Sequence, residues 1–210
     1  MINAPGSLFI TGGGSGIGEA VAAHFATTGW QVAIAGRRLS QLERVASALQ
    51  EASGKVSCFP LDVRDSEAVE NAIEAFEPTA LVCSAGILGR GTVWDELTAK
   101  RFGEVMDTNT SGTFNACRAA MLNWRKNKKP GDIVNISSLA GLRGMQKFEG
   151  LSAYAASKHA LVGLTEALAL DSRPYDIRVN AIAPGAVATA MRKSLGISSP
   201  VTPEQIVPTI

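Results

Sequence analysis

Tyr154 and Lys158, four residues apart in Tyr154-Ala-Ala-Ser-Lys158, are the pair in this sequence best suited to moving a proton. On a helix they share one face, about one turn apart. A free phenol has a pKa of roughly 10 and is a poor proton carrier at neutral pH. An ammonium held beside it favours the phenolate and brings its pKa towards the working range. The pair is then an acid/base for a carbonyl and its alcohol. The same spacing also arises by chance, as a partly buried tyrosine beside a solvated lysine. What lies upstream decides between the two.

Upstream, a β-prone run, Ser7-Leu-Phe-Ile-Thr11, leads straight into Gly12-Gly-Gly-Ser15-Gly16-Ile17-Gly18. A helical pattern follows with Ile17, Ala20, Val21, His24 and Phe25. Strand, glycine loop and helix in that order are the setting of a dinucleotide site. The glycines permit a tight turn and close backbone approach, and amides at the helix start favour a pyrophosphate. The second strand, Gln31 to Ala35, ends at Gly36-Arg37-Arg38. An acid at this strand end would bond the ribose 2′-hydroxyl of NAD, whereas arginine suits the 2′-phosphate of NADP. Here no acid occurs before Glu43, so the pattern favours NADP(H), with NAD(H) the alternative. Arginines that simply face water are the plainer reading of the same pair.

The elements that must position these groups alternate along the chain. Lys55 to Leu61 is a third strand, followed by Asp62-Val63 and a helix that Ser66 is suited to cap. Thr79 to Cys83 is a fourth strand, ending at Ser84-Ala85-Gly86. Thr98 to about Lys126 reads as a helix bent near Asn109 to Gly112. Its second half carries Phe114, Cys117, Met121 and Trp124, a stripe suited either to the core or to a subunit interface. Gly131 to Ile136 is the fifth strand, with Ser137-Ser138 after it, and Asp176 to Ile182 is the sixth, ending at Pro184-Gly185. This alternation predicts an α/β fold with a parallel sheet covered by helices on both faces. A ligand then lies beyond the strand C-terminal ends. The glycine loop, the arginine pair, Asp62 and Gly86 all fall there.

With 210 residues, 46% hydrophobic and 19% charged, the composition is that of one globular domain, residues 1–210. A net charge of +1 gives no bias towards nucleic acid or membrane. Met1 to Phe9 lacks the basic flank and apolar core of a leader, and no apolar run is long enough to span a bilayer. Cys58, Cys83 and Cys117 have no metal-ligand spacing and read as reduced thiols, which with the missing leader predicts a cytoplasmic protein and no metal. Arg125, Lys126, Lys128 and Lys129 read as cations at a helix C-terminus.

Along nearly its whole length the chain resembles the short-chain dehydrogenase/reductase family. The resemblance rests on Thr11-Gly-Gly-Gly-Ser-Gly-Ile-Gly18, Asp62-Val63, Ala85-Gly86, Asn109, Ile136-Ser-Ser138, Tyr154-Ala-Ala-Ser-Lys158 and Pro184-Gly185 with Thr189. It implies a Rossmann-like, doubly wound sheet in the order 3-2-1-4-5-6. It makes Tyr154 the general acid/base and Lys158 the group that lowers its pKa and holds the nicotinamide ribose. Ser138, rather than Ser137, bonds the substrate oxygen, and Asn109 holds a water in a proton relay. Gly12, Ser15, Gly16, Ile17, Gly18, Asp62, Val63, Ala85 and Gly86 belong to the cofactor site. So do Pro184, Gly185 and Val187, which with Ile182 border the nicotinamide, and Thr189, which bonds its carboxamide or a nearby phosphate oxygen. Arg37 and Arg38 resemble the NADP-preferring members.

The resemblance implies an NADP(H)-dependent oxidoreductase of a ketone, aldehyde or alcohol, with 3-oxoacyl thioesters and small carbonyl compounds as substrate options. It also implies a homodimer or homotetramer built on the helices around Phe114 to Trp124 and Ser152 to Leu170. Three departures qualify it. Cys83-Ser84 stands where the family usually has two asparagines. The stretch from Ser138 to Tyr154 is longer than usual, with the extra residues around Met145 to Glu149, beside the substrate mouth. The chain ends at Ile210, inside what resembles the start of the helix before the family's last strand, leaving a short lid at about 186–201. The sixth strand is then expected to be an uncovered apolar edge prone to association. The alternative this raises is a nucleotide-binding but catalytically impaired protein, such as a cofactor sensor.

Overall fold

The computed structural model describes residues 5–51, 55–196 and 198–210. Met1 to Ala4, at the start of the stretch read for a leader, and Ile197, in the Gly196 to Pro203 loop, lie outside the described residues.

Six parallel strands form one sheet in the order β3-β2-β1-β4-β5-β6. They are β1 (Ser7–Thr11), β2 (Gln31–Gly36), β3 (Lys55–Pro60), β4 (Ala80–Cys83), β5 (Gly131–Ile136) and β6 (Ile177–Ile182). The helices between them are α1 (Gly16–Thr27), α2 (Leu39–Glu51), α3 (Ser66–Phe76), α4 (Ala99–Met106), α5 (Gly112–Asn127), α6 (Ser152–Ser172) and the short α7 (Ala190–Lys193). The order reverses between β1 and β4, so a crevice opens beyond their C-terminal ends.

The strands carry apolar residues towards both faces, as a sheet covered on both sides requires. Phe9, Leu81 and Ile133 pack against α3 and α5, with Trp124 fully buried among them. Leu8, Ile10, Val32, Ile34 and Val82 pack the opposite face against α1 and α2. This resolves the stripe on α5. Cys117 and Trp124 are core, Met121 packs against the core, and Phe114 is exposed. Of the basic residues at the end of α5, Lys126 pairs with Glu74 on α3 and Lys129 with Glu77 at its end, while Arg125 lies over the Tyr175 ring.

Three local expectations are corrected. Asp65, not Ser66, caps α3, its carboxylate accepting from the Ala68 amide at 3.0 Å. Ser66 is instead the first helical residue. β6 begins at Ile177 because Asp176, at φ +55°, still belongs to the left-handed end of the preceding turn. The edge made by β6 is not uniformly apolar. Ile177 and Val179 point into the core, while Arg178 and Asn180 face the other way and are exposed. Arg178 is tied to Asp132 on β5 through two hydrogen bonds, 2.5 and 2.8 Å. Charged and polar groups on an edge strand discourage strand addition.

After α7 the chain turns back onto α1 through two 3-10 turns, Pro203–Gln205 and Val207–Thr209. The first is braced where Gln205 Oε1 accepts from the Thr202 amide at 2.8 Å. Val207 is buried in the core on that face, and Ile210 packs against it.

Candidate active site

The bend expected near Asn109 is one π-helical turn, Asp107–Ser111, joining α4 to α5. Such turns often mark functional sites. Here the turn carries Asn109 inward to full burial. The Asn109 side chain bonds both backbone groups of Ile87, Oδ1 accepting from the amide at 2.8 Å and Nδ2 donating to the carbonyl at 2.9 Å. Nδ2 also donates to Ser157 Oγ at 3.0 Å. Its own carbonyl accepts from Thr113 Oγ1 at 2.9 Å. Asn109 therefore fixes the segment after β4 to α6 and does not line the cleft.

The cleft has a volume of about 500 Å³, within the usual size of a small-molecule site. At one end lies the glycine loop. The Gly12 amide donates to Ala35 O at 2.8 Å, closing the turn onto β2. Gly12 has φ +72°, and a Cβ there would stand 2.7 Å from the Ala85 amide nitrogen. Gly18 does not line the cleft. A Cβ on it would lie 2.4 Å from Gly12 O, so this glycine lets α1 close against the loop. Ser15 sits extended before α1 with no capping bond from its side chain, and it lines the cleft with Gly16 and Ile17.

Next to the loop, Arg37, Arg38, Asp62 and Val63 form the second section of the cleft, with Gln41 and Leu42 beside them. Asp62 is held below the usual carboxylate range by its bonds to Arg64, with a smaller contribution from the charge of Arg37. The Arg64 Nη2 to Asp62 Oδ2 distance is 2.6 Å.

The far end is built by β5 and α6. Ser137 and Ser138 follow β5 and are divided in function by direction. Ser137 Oγ donates to Lys158 O at 3.1 Å and is buried. Ser138 Oγ accepts from the Ala140 amide at 3.1 Å, keeping its proton to donate, and meets the Tyr154 hydroxyl. Lys158 is buried and directs Nζ at Ile136 O, 2.7 Å away, and Nζ lies 5.7 Å from the centre of the Tyr154 ring. A Cβ on Gly141 would stand 2.5 Å from Lys158 O, so a glycine is needed where this segment crosses α6.

The expected depression of the Tyr154 phenol is not what this environment produces. Burial pushes it above its ordinary value, and the Ser138 hydrogen bond opposes that only in part. Burial also lowers the Lys158 ammonium from 10.5 to about 8, with the Cys83 thiol acting in the opposite sense. Unfolded, Lys158 keeps its proton to about 10.5; folded, to about 8. Between those values the unfolded chain binds more protons, so stability from this residue rises with pH across that window. We expect wild type to gain up to about 3 kcal/mol on Lys158→Met between pH 7 and pH 10, at about 1.4 kcal/mol per pH unit. Urea denaturation of both proteins at the two pH values measures this, and a gap independent of pH would refute it.

Pro184, Gly185, Val187 and Thr189 close the cleft from the segment after β6. The Leu139 amide donates to Pro184 O at 3.0 Å, joining the two strand ends. Thr189 Oγ1 accepts from the Arg192 amide at 3.3 Å, capping α7. A Cβ on Gly16 would lie 3.2 Å from Thr189 Cγ2, so α7 starts against the glycine loop.

The sequence reading missed Gly14, Ser84 and Leu88 on the walls, and Met191, Arg192 and Leu195 on or after α7. Of the extra residues around Met145 to Glu149, Met145, Gln146 and Phe148 line the cleft. Among the described residues no cluster of side chains could hold a metal ion, and no helix is long and apolar enough to cross a membrane.

Residues 7–199 match the short chain dehydrogenase family. The chain is 36% identical over 191 residues to a 3beta-hydroxysteroid dehydrogenase of Mediterraneibacter gnavus, covering 88% of this chain and 67% of that one. A solved 3-oxoacyl-[acyl-carrier protein] reductase of Brucella melitensis with bound NAD superposes with a TM-score of 0.84 at 30% identity, covering 97% of this chain and 81% of that one. The solved structure of ElxO with NADP bound superposes with a TM-score of 0.83, also at 30% identity, covering 98% and 90%. The chain belongs to the short-chain dehydrogenase/reductase family. It is an oxidoreductase acting on CH–OH and C=O groups with a nicotinamide cofactor.

Proposed function

We propose that this chain is an NADP(H)-preferring reductase of ketones or aldehydes, running reversibly to the alcohol, with Tyr154 as its acid/base. One observation carries the reading. Ser138, Tyr154 and Lys158 line one cleft with the glycine loop and with Arg37 and Arg38. The glycine loop also has the tight turn such a site needs, since any side chain on Gly12 would collide with the Ala85 backbone.

The loop amides and the start of α1 receive the pyrophosphate, and Arg37 and Arg38 receive the 2′-phosphate. Asp62 and Val63 border the adenine, while Ala85, Gly86, Pro184, Gly185, Val187 and Thr189 border the nicotinamide half. When bound, the nicotinamide gives or accepts the hydride. The rest falls to this chain's residues. Ser138 and Tyr154 hydrogen-bond the carbonyl oxygen where charge develops, and Tyr154 gives it the proton. A phenol is protonated at neutral pH, and burial pushes Tyr154 further that way, so it stands in the form that donates in reduction. Lys158 stabilises the phenolate left behind. Asn109 acts at a distance, holding Ile87 in place.

The substrate enters past Leu88, Met145, Phe148 and Leu151, an apolar rim that suits a carbonyl on an apolar body. A 3-oxoacyl thioester and a small carbonyl compound both meet that description.

A thermal melt of the purified chain with NADPH and with NADH tests the cofactor assignment. A ligand at 100 times its dissociation constant adds about 2.7 kcal/mol to the folded state. For a domain of this size the midpoint rises by roughly 5–10 °C. The larger shift is expected with NADPH, and a shift with NADH alone would overturn the roles given to Arg37 and Arg38.

A further inference from the structure

Five charged side chains line the cleft: Arg37, Arg38, Asp62, Lys158 and Arg192. Four of them have a partner or a role above. Arg192 has neither. Its Nε is buried and has no hydrogen-bond partner, and among the described residues its guanidinium is in no ion pair. A buried donor without an acceptor carries a free-energy cost, and a guanidinium keeps its proton throughout the working pH range. Among the described residues the one acidic side chain on the cleft wall is Asp62, and it is bonded to Arg64.

The position of Arg192 narrows what it meets. It lies one turn beyond Thr189, which stands against Gly16. Met191 and Leu195 flank it on the cleft wall and offer no competing acceptor from their side chains. A guanidinium on the cleft wall with an unpaired donor, beside the apolar Met191 and Leu195, is suited to a planar or tetrahedral oxyanion.

We propose that Arg192 is an anion receptor of this cleft, its guanidinium taking a negatively charged oxygen of a bound phosphate or carboxylate. The inference rests on the cofactor placement given under Proposed function. Two sources supply that chemistry: the phosphate bridge of the dinucleotide, and an acid group on the substrate.

The test compares wild type with Arg192→Met, which keeps most of the stem, and Arg192→Lys, which keeps the charge without the fork. Three binding measurements are made: NADPH by fluorescence titration, inorganic pyrophosphate by competition with NADPH, and acetoacetate against ethyl acetoacetate as melting shifts of the NADP⁺-loaded protein. If the dinucleotide is the source, Arg192→Met weakens NADPH and pyrophosphate about tenfold or more, and Arg192→Lys recovers part of the loss. If the substrate is the source, NADPH binding stays within twofold, while the wild-type preference for the acid over the ester disappears in Arg192→Met. NADPH and pyrophosphate binding within twofold of wild type, with no acid preference to lose, overturns the proposal. Pyrophosphate is then measured directly if wild type binds neither NADPH nor NADH. That result would sink the cofactor reading, while loss of pyrophosphate binding in Arg192→Met would still uphold the anion site.

Discussion

Replacing Tyr154 with Phe is expected to lower turnover by about two to four orders of magnitude, the usual worth of a positioned acid or base. The phenyl ring fills the same space on α6, so the packing of the helix is preserved. What goes is the hydroxyl that meets Ser138 and can reach a carbonyl oxygen. NADPH affinity, read by fluorescence titration, should change little, because the glycine loop and the arginine pair lie at the other end of the cleft. Loss of turnover with retained cofactor binding is the signature of a group that acts on the reacting atoms. Turnover within a few-fold of wild type would mean that another group delivers the proton.

The second large effect is expected at Gly12. Alanine there must hold φ near +72° and place its Cβ 2.7 Å from a backbone nitrogen. The left-handed conformation costs about 1–2 kcal/mol for an L-residue, and a forced methyl costs about 1–3 kcal/mol more. For a chain of this size that is a fall in melting midpoint of roughly 5–15 °C. Cofactor binding should fall with it, since relief requires the loop to move away from Ala85. Gly14→Ala is the matched comparison. The glycine lines the same cleft, but its φ is ordinary and its nearest neighbour would be Leu42 Cδ2 at 3.4 Å, an acceptable contact. The pair separates a requirement for no side chain at Gly12 from a general sensitivity of the loop. Equal effects from both substitutions would refute the geometric account.

Periodicity carried most of the fold. Short apolar runs separated by amphipathic helices required a parallel sheet covered on both faces, and glycines at strand ends marked where a ligand lies. What the local sequence does not show has mostly one cause, which is that the deciding partner sits far along the chain. Asn109 is occupied by Ile87 and Ser157, 22 and 48 residues away, and nothing local announces either bond. The state of Tyr154 depends on how deeply α6 is buried, which the four-residue spacing to Lys158 does not encode. Arg192 looks like any arginine in a basic pair with Lys193 until its Nε is found buried. The cap expected at Ser66 failed for a different reason, because Asp65 and Ser66 are adjacent and both are good capping residues.

The segment between Ser138 and Tyr154 is built so that it can be exchanged. At its two ends the backbone is pinned to the frame. The Leu139 amide bonds Pro184 O near its start and the Gly91 amide bonds Gly150 O near its end, while the flanking Ser137 and Lys158 side chains bond Lys158 O and Ile136 O. Between those pins lie Met145, Gln146 and Phe148, which reach the mouth from a stretch exposed to solvent. A loop held this way works as an interchangeable cassette. Its length and side chains can drift, or be grafted from a relative, and reshape the mouth of the cleft while Tyr154 and Lys158 stay where they are.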